Sequence, residues 1–581
     1  MLGTVSACAQ PAFTAGTYTA TVTGHNAPMT VVVTLSDKAI EAIDFEANLE
    51  TIGVGSVALA QVSRAILDTQ SIGVDAVTGA TISSYALIAA VKDCLKQAGA
   101  DVDALSVKQP AVADEQSAYE ADVVVVGAGG AGLAAAISAE QNGASVIVVE
   151  KLGLIGGSTN VSEGALNAVD EKRQGAQGIE DSVQKFYTQT LEGGHNVGTP
   201  ALVDFLTQNA YSAVEWMESL GVQFKDEVGT ATGALWQRSH YPATPSGNSY
   251  IRVFKDYIDK TDKIKILTDT PATKLITDET GRVVAVECAH NGETVTVSAK
   301  RGVILATGGF GANIEMRQKY NTGVWADVKL DASIGCTNMK GSAQGDGIVM
   351  AEAIGAQVTG MSDIQIHPCG HPQTGLMLDI RTSGRNRIFA NKTGARFVNE
   401  GAARDTLAKA IFAQDESTYW IVVNAIRYPE RDWADANGAT IANMVAQGSV
   451  IEADTLDALA EKTGMNADTL KASIEQYNQV VRGEVEKDEF GFVADNKADK
   501  ELTEGPWYAC RKVPTVHHTM GGLLIDADTQ VIGANNEPIP GLYAAGEVTG
   551  GIHGSNRLGG NAIADCMVFG RQAGKVAATA Q

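Results

Sequence analysis

Three features of the sequence predict an α/β protein preceded by a smaller α+β unit. An apolar run, Val123 to Val126, leads into Gly127-Ala-Gly129-Gly130-Ala131-Gly132, and a second apolar run ends at Glu150. From there to the C-terminus, short apolar segments alternate with stretches of helical periodicity, as in a layered α/β domain. Residues 14–98 carry a different pattern, two alternating segments and two helical ones, and read as a unit of their own.

At the start, Val5-Ser-Ala-Cys8 looks like the end of a lipoprotein signal with Cys8 lipidated, although the charged and apolar parts of a full signal are missing. The alternative for residues 1–13 is a frayed polar terminus. In the first unit, "GTYTATVTG" and "MTVVVTLSD" alternate like paired strands, while "VGSVALAQVSRAIL" and "SSYALIAAVKDCLKQ" have helical spacing. Periodicity is lost over 99–118, which reads as a linker.

The segment 119–150 then has the strand–turn–helix–strand order of a Rossmann-like dinucleotide site. Gly127 allows the tight turn, Gly129 lets backbone approach a pyrophosphate, and Gly132 lets the helix pack on the strand. Gly130 and Ala131 open the helix whose N–H groups face the phosphates. Glu150, followed by Lys151, stands where an acid accepts from ribose hydroxyls. This stretch alone leaves NAD and FAD both open.

Composition narrows the partners. The 581 residues suffice for two to four domains. With 44 basic against 68 acidic residues, a net charge of −24 weighs against nucleic acid and anionic membranes. A small anionic substrate stays possible if Arg and His gather in one pocket. No apolar run is long enough to predict a membrane span. The seven Cys contain no Cys-x-x-Cys, so no metal site, iron–sulfur cluster or c-type haem is expected.

Three further segments decide the nucleotide. "GLIGGSTNVSEGALNA" carries Gly156, Gly157, Ser158 and Thr159, and "GVILATGGF" carries Ala306, Thr307, Gly308 and Gly309. "GLYAAGEVTGGIHGSNRLGGNAIADC" carries Gly546, Glu547, Gly559, Asn561, Ala562 and Ile563. An ordinary NAD domain needs none of them. Together, and in this order, they resemble the FAD-binding domain of the fumarate reductase and succinate dehydrogenase flavoprotein family, over nearly all of 119–581. The resemblance implies non-covalent FAD held by these residues, with Gly546-Glu547 at the ribityl chain. It also implies a Rossmann-like FAD-binding domain split into 119–362 and 513–581, with a mobile α+β capping domain inserted at 363–512.

Within the first unit, Asp75-Ala-Val-Thr78-Gly79-Ala80-Thr81-Ile-Ser83 resembles the attachment pattern of a covalent FMN-binding domain, with Ser83 where Thr is usual. That implies FMN joined to Thr81 through a phosphoester by a flavin transferase. FMN would pass electrons to FAD from an external donor protein or a membrane quinol or flavin reductase. The plain alternative is a Ser/Thr turn.

Reducing an activated alkene requires a hydride at the β carbon, a grip on the carboxylate, and an acid for the α carbon. By the resemblance, His517 in "VHHTMGG" and Arg557 in "HGSNRLGGN" bind one carboxylate, and an Arg fork suits that group. Arg404 in "ARFVNEGAARD" matches the proton donor, and Gln365 and His367 in "QIHPCG" match the opposite end of the pocket. His518 is expected only to pack behind them.

The family's second-carboxylate Glu and Arg fall here on Ile380 and Ser383, so that clamp is missing. Arg381, Arg385 or Arg387 could restore the proton relay from a shifted position. Asp379 and Glu163, with Met377 nearby, are expected to receive a cationic or hydrogen-bond-donating group. The alternatives are an Asp379 paired with a neighbouring cation and a solvated Glu163.

The expectation is an FAD- and FMN-dependent 2-enoate reductase of anaerobic respiration, extracytoplasmic (periplasmic or lipid-anchored at the cell surface), with a cytoplasmic location as the alternative. Urocanate is the first substrate, then acrylate, methacrylate or cinnamate types, then fumarate. The rivals are a ketosteroid dehydrogenase-like flavoprotein and a non-catalytic flavin electron carrier.

Overall fold

The computed structural model describes residues 13–45, 48–51, 53–108, 118–244, 246–290, 292–377, 379–434, 440–495 and 498–580. Cys8 and the signal-like stretch lie outside them. The chain divides into two compact units, one holding 13–108 and the other nearly all of 118–580.

In the first unit, strands Gly16–Thr23, Pro28–Leu35 and Ile40–Asp44 form an antiparallel sheet with Gly16 opposite Leu35 and Val33 opposite Ile43. The period-2 pattern buries Met29, Val31, Val33 and Leu35 on one face. Helices Gly55–Thr69 and Thr81–Gln97 meet that face with Leu59, Val62, Ile66, Leu87, Val91 and Leu95.

The linker expected from 99 is corrected in its first part. Asp101 caps one helical turn, Val102–Leu105, by accepting from the Asp103 and Ala104 N–H groups. Leu105 then enters the core, and its carbonyl accepts from Ile72 N at 2.9 Å. A loss of periodicity could not reveal a helix of one turn.

The second unit is built on an eight-stranded sheet. Its central strands, Ala118–Val126, Val146–Val149 and the end of Glu293–Leu305, run parallel. Val123, Val124 and Val125 are buried on both faces, as a covered parallel sheet requires. Helices Gly130–Gln141 and Asn561–Thr579 cross closely through small residues: a Cβ on Gly574 would sit 2.2 Å from the Ala135 carbonyl oxygen.

A five-stranded sheet follows, ordered Ile364–Gly370, Trp507–Thr519, Tyr419–Asn424 and Ile388–Ala390, with Val450–Ala453 joined to the second. Strand Trp507–Thr519 runs unbroken through the expected boundary at 512/513. Its first half pairs with Tyr419–Asn424 and its second with Ile364–Gly370, where Gln365 faces His518 and His367 faces Thr515. Cap and FAD-binding segments therefore share a hydrogen-bonded strand. Among the described residues, no helix is long and apolar enough to cross a membrane.

Candidate active site

The nucleotide cradle contains positions that favour glycine. Gly127 has φ +104°, and a Cβ there would lie 2.5 Å from the Ala306 carbonyl oxygen. A Cβ on Gly132 would strike the Gly127 carbonyl, which seats the helix on its strand. Space beside Gly129 is open for 4 Å, room that a pyrophosphate would enter at the helix N-terminus. Glu150 is buried and accepts from Ala128 N at 2.8 Å, holding its carboxylate at the end of the strand.

Gly546, at φ +76°, has Ala131 at 2.8 Å from a would-be Cβ, and Gly309 has Thr519 Oγ1 at 2.0 Å. Thr307 Oγ1 is buried without a hydrogen-bond partner among the described residues. An acceptor-rich dinucleotide fits the open space beside Gly129, a helix start without a side-chain cap, and one acid.

Beyond the cradle lies a cavity of about 140 Å³. Ser158, Thr159, Glu547, Ala562 and Ile563 line its flavin side, and Glu163, His367, Met377, Arg404, His517 and Arg557 also face it.

Arg404 begins helix Arg404–Phe412 and is only 6% exposed. Its Nη1 donates to Gln365 Oε1 at 2.8 Å, while Nε has no partner among the described residues. Gly233 leaves room for its stem, since a Cβ there would lie 3.2 Å from Arg404 Cγ. Burial, and then the neighbouring Arg557, hold the Arg404 guanidinium well below the usual arginine range. Arg557 is pushed down to about 10 by burial, with Glu547 and Asp565 opposing. Its Nη1 donates to the Leu558 carbonyl at 3.0 Å.

The histidines are neutral. Burial, together with Arg404 and Arg557, keeps His367 and His517 far below the ordinary imidazole value. Their rings meet edge to face, with centroids 4.7 Å apart. His367 Nδ1 accepts from Cys369 N at 3.1 Å, so its proton is on Nε2. Thr337 Oγ1 lies 2.7 Å from His517 Nδ1, and a donating Thr337 likewise leaves the proton on Nε2.

Several expected residues stand apart from the cavity. Asp379 is corrected: it does not line the cavity, and it faces the fully buried Lys512 at 3.6 Å. Burial of both groups favours that pairing over a role toward substrate. Asn561 points inward, accepting from Asn167 Nδ2 at 2.8 Å, and the lining glycine is Gly560 rather than Gly559. Lys151 is bonded to Asp346.

Arg385 pairs with Asp499 at 2.7 Å, and Arg387 donates to the Glu400 carbonyl at 2.8 Å, so both brace the cap. Arg381 keeps a buried Nη1 without a partner among the described residues. Ile380 is buried, and Ser383 Oγ donates to Glu163 Oε1 at 3.5 Å. Gln365 acts through Arg404 and also donates to the Arg557 carbonyl at 2.8 Å. His518, expected only to pack behind the site, is corrected: it lines the cavity, with its ring edge-on to that of His553.

Sequence reasoning missed Thr337. It orients His517 from the loop around 334–341, where no motif marks it, and lines the cavity.

In the first unit, Thr81 is exposed at the first position of its helix, after Gly79 at φ +98°. The other hydroxyls of the helix start are engaged and buried: Ser83 Oγ donates to Glu50 Oε2 at 2.6 Å, and Ser84 Oγ to the Ala80 carbonyl at 3.0 Å. Ala80 offers no side-chain cap, so first-turn N–H groups are available to a phosphate. The segment fits an FMN phosphoester on Thr81.

The FAD binding domain family matches residues 122–563, and the FMN-binding domain family matches 24–96. Urocanate reductase of Eggerthella lenta is 37% identical, over 97% of this chain and 92% of that protein. NADH:acrylate oxidoreductase of Vibrio harveyi is 36% identical over 97% of this chain, which spans only 61% of that protein's length. A flavocytochrome c3 fumarate reductase in an open conformation superposes with TM-score 0.65 at 34% identity, over 81% of this chain and 79% of the other.

Fold, cradle and cavity thus define a flavin-dependent oxidoreductase that uses FAD and FMN. The chain belongs to the FAD-binding flavoprotein family of the fumarate and urocanate reductases, with an FMN-binding domain at its N-terminal side.

Proposed function

We propose that the chain reduces the double bond of a 2-enoate with one carboxylate and a hydrogen-bond-donating far end, urocanate being the leading candidate. One observation carries this: Arg404, Arg557 and the neutral His517 converge on a single cavity that also holds the Glu163 carboxylate. His517, through Nε2–H, and Arg557 grip the carboxylate. Drawing charge toward that end makes the β carbon electrophilic. FAD, when bound, supplies the hydride equivalent for that carbon.

Arg404 then gives a proton from its guanidinium to the α carbon, and its depressed pKa makes this release easier than for a solvated arginine. Gln365 holds Arg404 Nη1 and fixes the direction of the donor. With Ile380 and Ser383 where a clamp would be charged, the far end favours a donor to Glu163 over a second carboxylate. The likeness to urocanate reductase, over nearly all of both chains, supports the same choice.

A second reading rests on Arg381. Its unpartnered buried Nη1, and its contribution to the depressed pKa of His367, suit a dicarboxylate such as fumarate. The test is anaerobic oxidation of reduced methyl viologen by urocanate, fumarate, acrylate, methacrylate and cinnamate. Urocanate should give the highest kcat/KM, and fastest turnover of fumarate would transfer the far end to Arg381.

The proposal includes FMN attached at Thr81 by a flavin transferase, and an external protein or membrane reductase as electron donor. An extracytoplasmic location belongs to it on the strength of Val5-Ser-Ala-Cys8, and cell fractionation checks that. A ketosteroid dehydrogenase-like role would leave the carboxylate grip without use, and an electron carrier would need no Arg404.

A further inference from the structure

We propose that Tyr85, with Ile82 beside it, is the platform on which the isoalloxazine of FMN rests once the phosphate is joined to Thr81. The inference depends on the Thr81 reading and names which side chains receive the rest of the cofactor. Helix Thr81–Gln97 buries Leu87, Ala90, Val91 and Leu95 in its own core. On its other side it exposes two large apolar side chains, Ile82 at 53% and Tyr85 at 60%. Single exposed apolar residues are ordinary, but these two follow the exposed Thr81 by one and four residues.

Tyr85 is four residues after Thr81, so the two share a face, with Cβ atoms about 5–6 Å apart. Long helical side chains lean toward the helix N-terminus, which here is toward Thr81. The uncapped first turn would take the phosphate oxygens and fix where the ribityl chain leaves. Toward the core, the way is closed by buried Ala80, Ser83 and Ser84, and by the Ser83–Glu50 hydrogen bond. The direction left open runs along the exposed face, over Ile82 and Tyr85. A planar, polarisable ring system stacks well on a phenol, and a tyrosine in contact quenches flavin emission.

The test uses the full-length holoprotein coproduced with a flavin transferase, as wild type, Tyr85→Ala, Tyr85→Trp and Thr81→Ala. Intact mass reports whether one FMN is attached, and subtracting the Thr81→Ala emission isolates the FMN signal from FAD. Tyr85→Ala is expected to carry the same mass as wild type, with FMN emission several-fold brighter and flavin anisotropy lower. Tyr85→Trp should stay quenched and ordered. Should Tyr85→Ala take up no FMN, Tyr85→Leu, which keeps bulk without a quenching ring, makes the same comparison. Emission and anisotropy unchanged in loaded Tyr85→Ala would overturn the platform alone. A wild-type chain without attached FMN would overturn the Thr81 reading and the platform together.

Discussion

Arg404 is the residue on which the chemistry turns. A solvated guanidinium holds its proton too tightly to act as an acid, with a pKa above about 12. Here burial and the neighbouring Arg557 destabilise the charged form, and Nη1 is anchored on a neutral amide, Gln365. Arg404→Lys keeps a charge and loses the fork. It is expected to lower kcat by about 10²-fold or more while FAD content, read from the flavin absorbance, stays the same. Because the protonated form is the donor, the rate should fall as pH rises through the depressed Arg404 value, on the side of the profile where Arg404→Lys no longer follows wild type. Glu163→Gln separates the substrate readings. It should raise KM for urocanate and leave acrylate, which has no far end, nearly untouched; equal effects on both would remove Glu163 from the far-end role.

At the level of elements, the end of strand Trp507–Thr519 is fastened to the turn after Gly546, because Thr519 N donates to Glu547 Oε1 at 3.0 Å. Burial raises Glu547 from 4.5 to about 7. A carboxyl raised on folding favours the fold below its unfolded value, and that contribution is lost as pH climbs through the folded one. In the FAD-free chain, the stability difference between wild type and Glu547→Gln should therefore shift against wild type by about 3 kcal/mol between roughly pH 4.5 and 7. Thermal melts of both across that range measure it. The helix crossing makes a second prediction. Gly574→Ala drives a methyl toward the Ala135 carbonyl and should cost about 1–3 kcal/mol in urea unfolding.

For the whole molecule, two compact units, the first with a core of its own, imply separable folding. The fragment 13–108 contains its sheet, both helices and the turn that buries Leu105, so it should give a cooperative thermal transition by circular dichroism without the rest of the chain. The glycines of the cradle and Glu150 were legible in the sequence because their geometry is local, a turn or a strand end specified within a few residues, whereas Thr81 was marked only through its resemblance to an FMN-binding domain. The reductase residues were legible as short motifs, through their resemblance to a known family, but not as an arrangement. Asp379 carried the right chemistry for a substrate partner, and only the fold revealed Lys512 facing it from strand Trp507–Thr519. Thr337 had no motif, and its role exists because its loop reaches His517. By itself the sequence determined the layered fold, the dinucleotide-binding turns and the set of cationic side chains, since periodicity and turn geometry are written in neighbouring residues, while the two flavins were named through family resemblance. Which of those side chains share one desolvated cavity, and which are neutralised elsewhere, was decided by tertiary structure, because burial and charge pairing depend on residues far apart in the chain.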